Sequence, residues 1–386
     1  MKKKTGGLYI HIPFCRNKCI YCDFYTGGVR IADWKSYNSA LLNELEIRKK
    51  DLSFIPDTLY IGGGTPSLLP PEEFSFLING LKKSLNISEF SEFTIEVNPE
   101  DVNEDIAGTW LENGVNRISI GIQSFNDNEL ESIGRRHTSQ TAKDTVKLLS
   151  SHFKSISIDV MFGIPGQTIH SYKETLECIV SLNPTHISSY SLMLEEGTAM
   201  TNLVSNKKII LPSEEEWMQM FLLTSDFLQK NGYKRYEISN FSKPGYESKH
   251  NRSYWNGTPY LGLGPGAHSY DGINIRRANK NDLKGYVKFF SVALPNLGNQ
   301  NLPPFYLEEK LNQDELREEM IMTGLRTSDG IELNEYELRF GSEQKNRLLE
   351  KACDYINQGF LKESENHLSL TDKGILISNK IMSDLF

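Results

Sequence analysis

Strand-like and helix-like segments alternate along this sequence from residue 8 to about residue 192, and this alternation limits the possible folds most strongly. Amphipathic segments of helix length, such as residues 32–50, 70–85 and 171–182, separate six runs rich in β-branched and aromatic residues. The six runs predict strands: LYIHI (8–12), TLYIGGG (58–64), EFTIEVNP (92–99), RISIGIQSF (117–125), SISIDVMFGIPG (155–166) and HISSYSLML (186–194). Strands that alternate with helices form right-handed crossovers in a parallel sheet. We therefore predict an α/β fold of six units, either an incomplete barrel or an open doubly wound sheet.

Polar residues and glycines gather where these predicted strands end. The segment GGGTP (62–66) ends the second strand, EVNP (96–99) the third and Gln123 the fourth, while Asp159 precedes a glycine in the fifth. Parallel α/β folds place their ligands at the carboxyl ends of the strands. The pattern therefore predicts one site that is assembled from several successive strands.

The sequence after residue 212 predicts a mainly helical part. Helices are expected at residues 213–231, 307–326 and 342–358, a hairpin at 359–374 and a linker at 297–305. The order helix, helix, hairpin resembles a winged helix. Because the net charge of the chain is −8, we assign this part a packing role rather than DNA binding.

We predict three parts of the chain from these patterns. Residues 1–210 form the α/β core, residues 211–300 an extension, and residues 301–386 a C-terminal helical domain that resembles a winged helix.

Composition excludes several classes of function. The 42 basic residues are outnumbered by 50 acidic ones, so no electrostatic feature predicts nucleic-acid binding. No apolar run reaches the roughly 20 residues of a membrane span, and the N-terminus lacks the apolar core of a secretory signal. Five cysteines, three of them crowded together, do not form the pattern of a disulfide scaffold. We therefore predict a cytoplasmic protein without a membrane span.

The segment HIPFCRNKCIYCDFYT (11–26) contains Cys15, Cys19 and Cys22 within eight positions. Cysteines spaced this closely on a loop are typical metal ligands. Structural zinc requires four protein ligands, for which His11 and Asp23 are the nearest further candidates. A [4Fe–4S] cluster needs one ligand for each iron, so three cysteines leave one iron open to another ligand. The spacing alone leaves both metal centres possible.

The motif Cys15-x3-Cys19-x2-Cys22, with Tyr21 before its last cysteine and a strand before its first, resembles the signature of the radical S-adenosylmethionine (SAM) enzymes. This resemblance implies a partial (β/α)6 barrel of the TIM type. It also implies a [4Fe–4S] cluster on the three cysteines, with the amino and carboxylate groups of SAM on the fourth iron. In that family an electron from the cluster cleaves SAM to methionine and a 5′-deoxyadenosyl radical.

A longer set of motifs resembles the oxygen-independent coproporphyrinogen III oxidases and their relatives. The motifs are YIHIPFC (9–15), IGGGTPS (61–67), EVNP (96–99), GIQSF (121–125), GRRH (134–137) and IDVMFGIPGQT (158–168). The resemblance implies SAM contacts at Tyr9, Tyr21, Gly63, Gly64, Thr65, Glu96, Gln123, Arg135 and Asp159. These roles suit the residue types, because carboxylates accept hydrogen bonds from hydroxyl or ammonium groups and arginine pairs with carboxylates.

Two departures distinguish this chain from the oxidases. Phe24 stands where they carry a further cysteine, and the first strand begins at Leu8, whereas the oxidases have a longer segment before it. The residues His250, Tyr254 and Trp255 instead match the HNxxYW motif of the HemW-type haem chaperones. That resemblance implies haem contacts at these three residues, since histidine is a common haem ligand. The alternative for the motif is a polar histidine with two half-buried aromatic residues.

The resemblance thus implies a chaperone of the radical SAM fold that binds haem, a [4Fe–4S] cluster and SAM. Its expected partners are haem, haem-acceptor proteins that include membrane-associated ones, and an electron donor such as a flavodoxin or a ferredoxin. The sequence leaves open whether SAM is cleaved. The alternatives are an oxygen-independent coproporphyrinogen III oxidase, whose activity the two departures disfavour, and a zinc-stabilised barrel without redox chemistry.

Overall fold

A computed structural model describes residues 4–28, 33–293 and 304–386 of the chain. Of the linker predicted at residues 297–305, only the last two residues lie within these ranges. The predicted boundary between residues 300 and 301 lies outside them, and all three predicted parts stay predictions.

The first 230 residues follow the predicted alternation of strands and helices. The strands are β1 (Thr5–Ile12), β2 (Phe14–Cys15), β3 (Gly27–Gly28), β4 (Ile55–Gly63), β5 (Glu92–Val97), β6 (Arg117–Gln123), β7 (Ser155–Phe162) and β8 (His186–Ser191). The helices are α1 (Trp34–Arg48), α2 (Pro71–Leu85), α3 (Glu104–Glu112), α4 (Asp127–Ser132), α5 (Ser139–His152), α6 (Ile169–Leu182), α7 (Ala199–Ser205) and α8 (Glu214–Lys230). Short 3-10 turns follow α1, β4 and β5, at Lys49–Asp51, Pro66–Leu68 and Pro99–Asp101. All six predicted strands are confirmed.

The remaining elements extend the sheet and then form the C-terminal part. The extension comprises β9 (Lys234–Arg235), β10 (Asn240–Ser242), α9 (Lys249–Trp255), β11 (Tyr260–Leu263), β12 (His268–Tyr270), β13 (Ile275–Asn279), α10 (Leu283–Ala293) and β14 (Tyr306–Lys310). The C-terminal part comprises α11 (Gln313–Arg326), β15 (Ile331–Glu332), α12 (Leu333–Phe340), α13 (Ser342–Asn357), β16 (Leu361–Ser364), β17 (His367–Leu370), α14 (Asp372–Ile375) and α15 (Ser378–Leu385).

The main sheet has twelve strands in the order β14-β13-β12-β11-β1-β4-β5-β6-β7-β8-β10-β9. The six predicted strands lie side by side and are parallel, as predicted. A seventh parallel strand, β11, pairs with β1 from the other side. It arises from the glycine-rich segment after residue 260, which the sequence did not identify as a strand.

The two faces of this sheet differ in composition because successive residues of a strand point to opposite faces. One face carries aliphatic side chains such as Leu8, Ile10 and Ile12, which are buried against α1 and the other helices. The opposite face, called the polar face below, carries side chains such as Tyr60 and Asp159. The apolar alternation therefore fixes the register and directs the polar residues to one side.

The C-terminal part has its own hydrophobic core, formed by residues between Ile321 and Leu385. Its three-stranded sheet has the order β15-β17-β16 and packs with α11 and α13, while α15 packs against these two helices. A strand between the first two helices and a hairpin after the third is the arrangement of a winged helix. The predicted helix at 307–326 was wrong in its first residues, because residues 306–310 pair with β13 as β14; Asn312 then caps α11 through a capping box with Glu315.

The longest helix of the described ranges, α8, has 17 residues. None of the helices in these ranges is long and apolar enough to cross a membrane.

Candidate functional site

A cavity of about 410 Å³ lies at the carboxyl ends of the parallel strands, where the sequence predicted a site. It is lined by all three cysteines of the motif and by eight of the nine residues predicted to contact SAM. These residues are Cys15, Cys19, Cys22, Tyr21, Gly63, Gly64, Thr65, Glu96, Gln123, Arg135 and Asp159. The structure therefore brings residues from the cysteine loop and from the ends of successive strands into one cavity, called the thiol cavity below.

The cysteine loop is fixed by backbone hydrogen bonds to the glycine-rich turn after β4. The backbone nitrogen of Gly64 donates to the carbonyl of Ile12 at 2.8 Å, and that of Thr65 donates to the carbonyl of Phe14 at 2.8 Å. The Thr65 hydroxyl donates to the Cys15 Sγ atom at 3.4 Å. The start of the loop is further paired through β2 and β3, where Cys15 lies beside Gly28.

Glycine at position 64 permits this close approach. A Cβ atom there would lie 2.7 Å from the Phe14 carbonyl oxygen, 2.8 Å from that of Ile12 and 3.0 Å from the Cys15 Sγ atom. The neighbouring Gly63 has a φ of 110°, a conformation that L side chains rarely adopt. The glycines therefore seat the cysteine loop against the strand end as well as lining the cavity.

Burial disfavours the thiolate form of two of the three cysteines. Burial raises the pKa of Cys15, and burial raises the pKa of Cys22 to about 11. Both thiols are consequently protonated at neutral pH unless a cation lies close by, and metal coordination deprotonates a thiol outright. An arginine supports the loop as well, since Arg135 donates from Nη1 to the Cys19 Sγ atom at 3.8 Å.

The structure does not supply a fourth ligand for zinc from His11. Its Nδ1 atom lies 3.0 Å from the Tyr9 hydroxyl, and its Nε2 atom lies 3.0 Å from the Tyr25 carbonyl oxygen. Both ring nitrogens are therefore engaged, as in a satisfied core histidine. Across the described ranges, no group of three or more His, Cys, Asp or Glu residues is arranged to hold a single metal ion.

Two carboxylates reach the cavity from neighbouring parts of the polar face. Glu96 accepts hydrogen bonds from the Tyr60 hydroxyl at 2.8 Å and from the backbone nitrogen of Gly63 at 3.0 Å. Burial raises the pKa of Glu96 to about 7, and the two hydrogen bonds offset this only in part. The Glu96 carboxylate can therefore take up or release a proton near neutral pH.

Asp159 is held by hydroxyl groups of adjacent strands. Its Oδ2 atom accepts from the Ser119 hydroxyl at 2.8 Å, and its Oδ1 atom accepts from the Ser157 hydroxyl at 3.1 Å. Burial raises the pKa of Asp159, while the serine hydroxyls oppose that rise. The serine hydroxyls thus orient the Asp159 carboxylate, whose oxygens can accept further hydrogen bonds from a ligand in the cavity.

Arg135 and Gln123 complete the wall. The guanidinium of Arg135 donates from Nη2 to the Asn98 side-chain oxygen at 2.8 Å and also to the Gly121 carbonyl, but its Nε atom has no hydrogen-bond partner. Gln123 has a φ of 73°, and the pairing of β6 with β7 shifts register between Gly121 and Gln123. Non-glycine residues in this conformation cost free energy and occur at functional sites.

The predicted contact Tyr9 does not line the thiol cavity. Its hydroxyl lies against His11, and its ring stacks on Tyr60 with a centroid distance of 6.1 Å. Tyr9 therefore supports the cavity from behind Tyr60.

The HNxxYW motif lies at the opposite, amino end of the strands, on the helix α9 rather than on a loop. Glu92 accepts hydrogen bonds from the backbone nitrogens of Lys249 and His250 and from the Ser248 hydroxyl, so it caps the helix. The His250 side chain is fully buried; its Nδ1 atom lies 2.8 Å from the Thr58 hydroxyl and its Nε2 atom 2.9 Å from the Tyr254 hydroxyl. Burial lowers the pKa of His250 to about 3, so the ring is neutral.

Tyr254 and Trp255 line a second cavity of about 160 Å³ between α9 and the C-terminal part. The guanidinium of Arg326 lies 4.5 Å from the centroid of the Trp255 ring, and Arg252 forms an ion pair with Asp329 at 2.5 Å. Here the motif connects the main sheet to the C-terminal part.

Two residues that bind the predicted side chains of the thiol cavity, Tyr60 and Asn98, were not predicted from the sequence. Tyr60 binds Glu96, and Asn98 binds both Arg135 and the Thr65 hydroxyl, the latter at 3.2 Å. Signals for both were present: Tyr60 alternates with the apolar residues of β4, and Asn98 follows Glu96 in the EVNP motif.

Comparisons with known proteins agree with this architecture. Residues 9–179 match the Radical SAM superfamily, and residues 311–377 match the HemN C-terminal domain. A heme chaperone HemW from Lactococcus lactis subsp. lactis is 35% identical over 99% of this chain and 97% of its own length. Another, from Bacillus subtilis, is 34% identical over 97% of both chains.

A solved structure shows the fold. The radical SAM enzyme coproporphyrinogen III oxidase (HemN) from Escherichia coli aligns with a TM-score of 0.82 and 23% identity, over 100% of this chain and 90% of that one. The predicted partial barrel with a helical C-terminal part is thereby confirmed.

Proposed function

This chain belongs to the HemW family of heme chaperones within the radical SAM superfamily, and on that premise we propose which residues serve each cofactor. The protein is a haem chaperone of the radical SAM fold that uses a [4Fe–4S] cluster and SAM. The cluster would be held by Cys15, Cys19 and Cys22, and SAM would lie beside it in the thiol cavity. Haem would be bound by this chain and passed to acceptor proteins.

The donor set fits the cluster. A cube takes one cysteine at each of three separate irons, so the three thiols need not converge on one ion. They line one cavity and lie on a loop that is anchored to the end of β4.

The wall of the cavity fits SAM, which carries two cationic groups and one carboxylate. Glu96 and Asp159 offer carboxylates to the ammonium group or to the ribose hydroxyls. Arg135 lines the cavity with a guanidinium group, which suits the carboxylate. Bound together, the cluster and SAM would supply one-electron reductive cleavage of a carbon–sulfur bond.

The residues of the chain have defined tasks in this arrangement. Glu96 carries a proton for part of the time near pH 7 and gives it up when a cation is bound beside it. Asp159 is fixed by the Ser119 and Ser157 hydroxyls, so its geometry is set before a ligand arrives. Gln123 is held in a strained conformation that directs it at the cavity wall.

The haem contacts at His250, Tyr254 and Trp255 stay predictions. A haem iron could reach the His250 ring only after the ring had lost its hydrogen bonds to Thr58 and Tyr254. Acceptor proteins, a flavodoxin-type or ferredoxin-type electron donor and a cytoplasmic location belong to the same proposal and rest on the family resemblance.

One observation carries the proposal: eleven of the twelve residues predicted for the cluster and for SAM, which are scattered from position 15 to position 159, line one cavity. The test is a haem titration and a SAM-cleavage assay on one anaerobically reconstituted sample, followed by haem transfer to an apo-acceptor. We expect haem binding and transfer. Absence of haem binding would refute the chaperone function, and conversion of coproporphyrinogen to a decarboxylated product would establish oxidase activity instead.

A further inference from the structure

We propose that His186 is a positioning residue for SAM, because it holds the Ser157 hydroxyl in the direction that lets this hydroxyl donate to Asp159. His186 is the first residue of β8 and does not itself line the thiol cavity. This role rests on the proposed binding of SAM in that cavity, where Asp159 offers its carboxylate to the ligand. It belongs to a histidine that the sequence motifs did not single out.

His186 is one member of a chain of hydrogen bonds that ends at Asp159. Its Nδ1 atom lies 2.8 Å from the Ser157 hydroxyl, which lies 3.1 Å from the Oδ1 atom of Asp159. Its Nε2 atom lies 2.8 Å from the Tyr236 hydroxyl. Parallel pairing of β7 and β8 sets Ser157 directly beside His186, so the register of the sheet fixes the contact between them. Both ring nitrogens of the histidine are therefore engaged.

The members of the chain that precede Asp159 are buried. His186 and Ser157 are each 1% exposed, and Tyr236 is 6% exposed. Burial lowers the pKa of His186 well below its usual range, and the positive charge of Arg117 lowers this pKa further. The imidazole is therefore neutral and carries a proton on only one of its two nitrogens.

The direction of each hydrogen bond follows from the number of protons available. The Ser157 hydroxyl has one proton, and an ionised Asp159 can only accept, so Ser157 donates to Asp159. Ser157 then accepts from His186, which places the imidazole proton on Nδ1 and leaves Nε2 to accept from the Tyr236 hydroxyl. In the opposite tautomer, Nδ1 would take the Ser157 proton, and two acceptors would face each other unless Asp159 were protonated. The tautomer of His186 is therefore linked to the charge of Asp159.

This charge matters for a cationic ligand. An ionised carboxylate attracts the cationic groups of SAM, whereas a protonated carboxyl group does not. Burial raises the pKa of Asp159, and hydroxyl donors that include Ser119 and Ser157 oppose that rise. By fixing the direction of the Ser157 hydroxyl, His186 and Tyr236 keep one of these donors in place.

The experiment measures the affinity for SAM by equilibrium dialysis without oxygen, on the full-length, cluster-reconstituted chain. His186→Leu removes the donor to Ser157, whereas His186→Asn retains one, because the asparagine amide nitrogen can take the place of Nδ1. Ser157→Ala removes the transmitting hydroxyl by a smaller change, which keeps the test decisive if His186→Leu does not fold.

The matched control for Ser157→Ala is Ser189→Ala. Ser189 is also a buried serine of the sheet, on β8, but its hydroxyl lies 2.9 Å from that of Tyr172 instead of facing Asp159. Iron content and urea unfolding verify that each variant is loaded and folded.

We expect His186→Leu and Ser157→Ala to bind SAM about tenfold more weakly, which is the effect of losing one hydrogen bond to a charged group. His186→Asn should regain most of the affinity, and Ser189→Ala should bind as the wild type does. In an Asp159→Asn background, His186→Leu should cost less than about twofold, because its effect passes through the carboxylate.

Wild-type affinity in Ser157→Ala, or in a folded His186→Leu, would overturn the proposal. The same holds if His186→Asn binds SAM as weakly as His186→Leu does, or if His186→Leu costs the full tenfold in the Asp159→Asn background, since either result would show a merely structural role. A wild-type chain that does not bind SAM would instead refute the proposed function itself.

Discussion

The two ends of the polar face contain the same kinds of residue but differ in what surrounds their titratable side chains. At the amino end, His250 and Glu92 are buried and hydrogen-bonded to α9 and to neighbouring strands. At the carboxyl end, Glu96 has a pKa near 7 and the Nε atom of Arg135 has no partner. Buried polar groups without partners are rare in proteins. Unpartnered atoms occur at the amino end too, such as the Nε1 atom of Trp255. The difference between the two ends therefore lies in His250 and Glu92, which are fully engaged with the protein, and in Glu96, whose carboxyl group lines an open cavity.

The two ends meet at Tyr60. Its hydroxyl donates to Glu96, and its ring stacks on His250 with a centroid distance of 5.1 Å. Tyr60 thus connects the packed amino end, around His250, to the open thiol cavity, around Glu96. Variants at the two ends therefore test the structural network and the ligand site separately.

The largest effect is expected for Cys15→Ala, which removes one ligand at the carboxyl end. Two remaining cysteines cannot hold the cube, so iron and sulfide should be lost almost completely after anaerobic reconstitution. Cys353→Ala is the matched control, because Cys353 is exposed on α13. Full iron content in the Cys15 variant would show that the ligand set is wrong.

A smaller effect is expected for Gly64→Ala, which tests whether the glycine turn seats the cysteine loop. The added Cβ would meet the Phe14 and Ile12 carbonyl oxygens and the Cys15 Sγ atom at 3.0 Å or less. Overpacking of this kind costs about 1–3 kcal/mol of the free energy of unfolding, and the displaced loop should bind less iron.

Gly108→Ala provides the control for that substitution. Gly108 lies in α3, where an added Cβ meets nothing within 4 Å, and alanine stabilises a helix by about 1 kcal/mol relative to glycine. Urea unfolding and iron analysis on both variants make the comparison. Equal iron loss in the two variants would contradict the seating role of Gly64.

The amino end is tested by the pH dependence of the free energy of unfolding. His250 has a pKa of about 3 in the folded chain, so below about pH 6.5 the unfolded chain binds a proton that the folded chain does not. This contribution to stability is present above pH 6.5 and falls by about 1.4 kcal/mol per pH unit as the pH drops toward 3.

Replacement by His250→Gln should remove this contribution, whereas His170→Gln, at a residue with an 84% exposed side chain, should retain it. Between pH 6.5 and pH 5 the wild type should lose about 2 kcal/mol more than the His250 variant. Urea titrations at the two pH values measure the difference. Parallel pH profiles would mean that His250 is not a buried neutral residue.

The smallest effect concerns Glu96 and the affinity for SAM. Because the pKa of Glu96 is about 7 in the free chain, binding a cation beside it should strengthen as the pH rises and the carboxylate ionises. We expect about a tenfold gain between pH 6 and pH 8. Glu96→Gln should flatten the profile, and Glu72→Gln, at an exposed position on α2, should not. Equilibrium dialysis without oxygen measures the affinity for SAM at each pH. If the affinity of the Glu96 variant depended on pH as that of the wild type does, Glu96 would not be the group that binds the cation.

The sequence predicted the parallel strands and the thiol cavity well, for a physical reason. Each strand has an apolar face that must pack on helices, so the alternation sets which residues share the other face. Glu96 and Asp159 share that face, so parallel pairing of the strands brings both of them to one cavity. The cysteine spacing added the chemical identity of the site.

The amino end could not be predicted in the same way. Whether His250 contacts a ligand or the protein depends on Thr58 and Glu92, which are more than 150 positions away in sequence. The short strand β11 was not predicted, because its glycine interrupts the alternation of residues that is typical of a strand. The strand β14 was predicted as helix, because charged residues such as Glu308 and Glu309 favour helices. Tertiary pairing decided all three cases.

The most direct test of the account is anaerobic electron paramagnetic resonance on the reduced, reconstituted full-length chain, recorded before and after SAM is added. Three cysteine ligands leave one iron open, so the spectrum of a [4Fe–4S] cluster should appear and should change when SAM binds. A chain without an iron–sulfur signal, or with a signal that SAM leaves unchanged, would contradict the claim that the thiol cavity holds both cofactors.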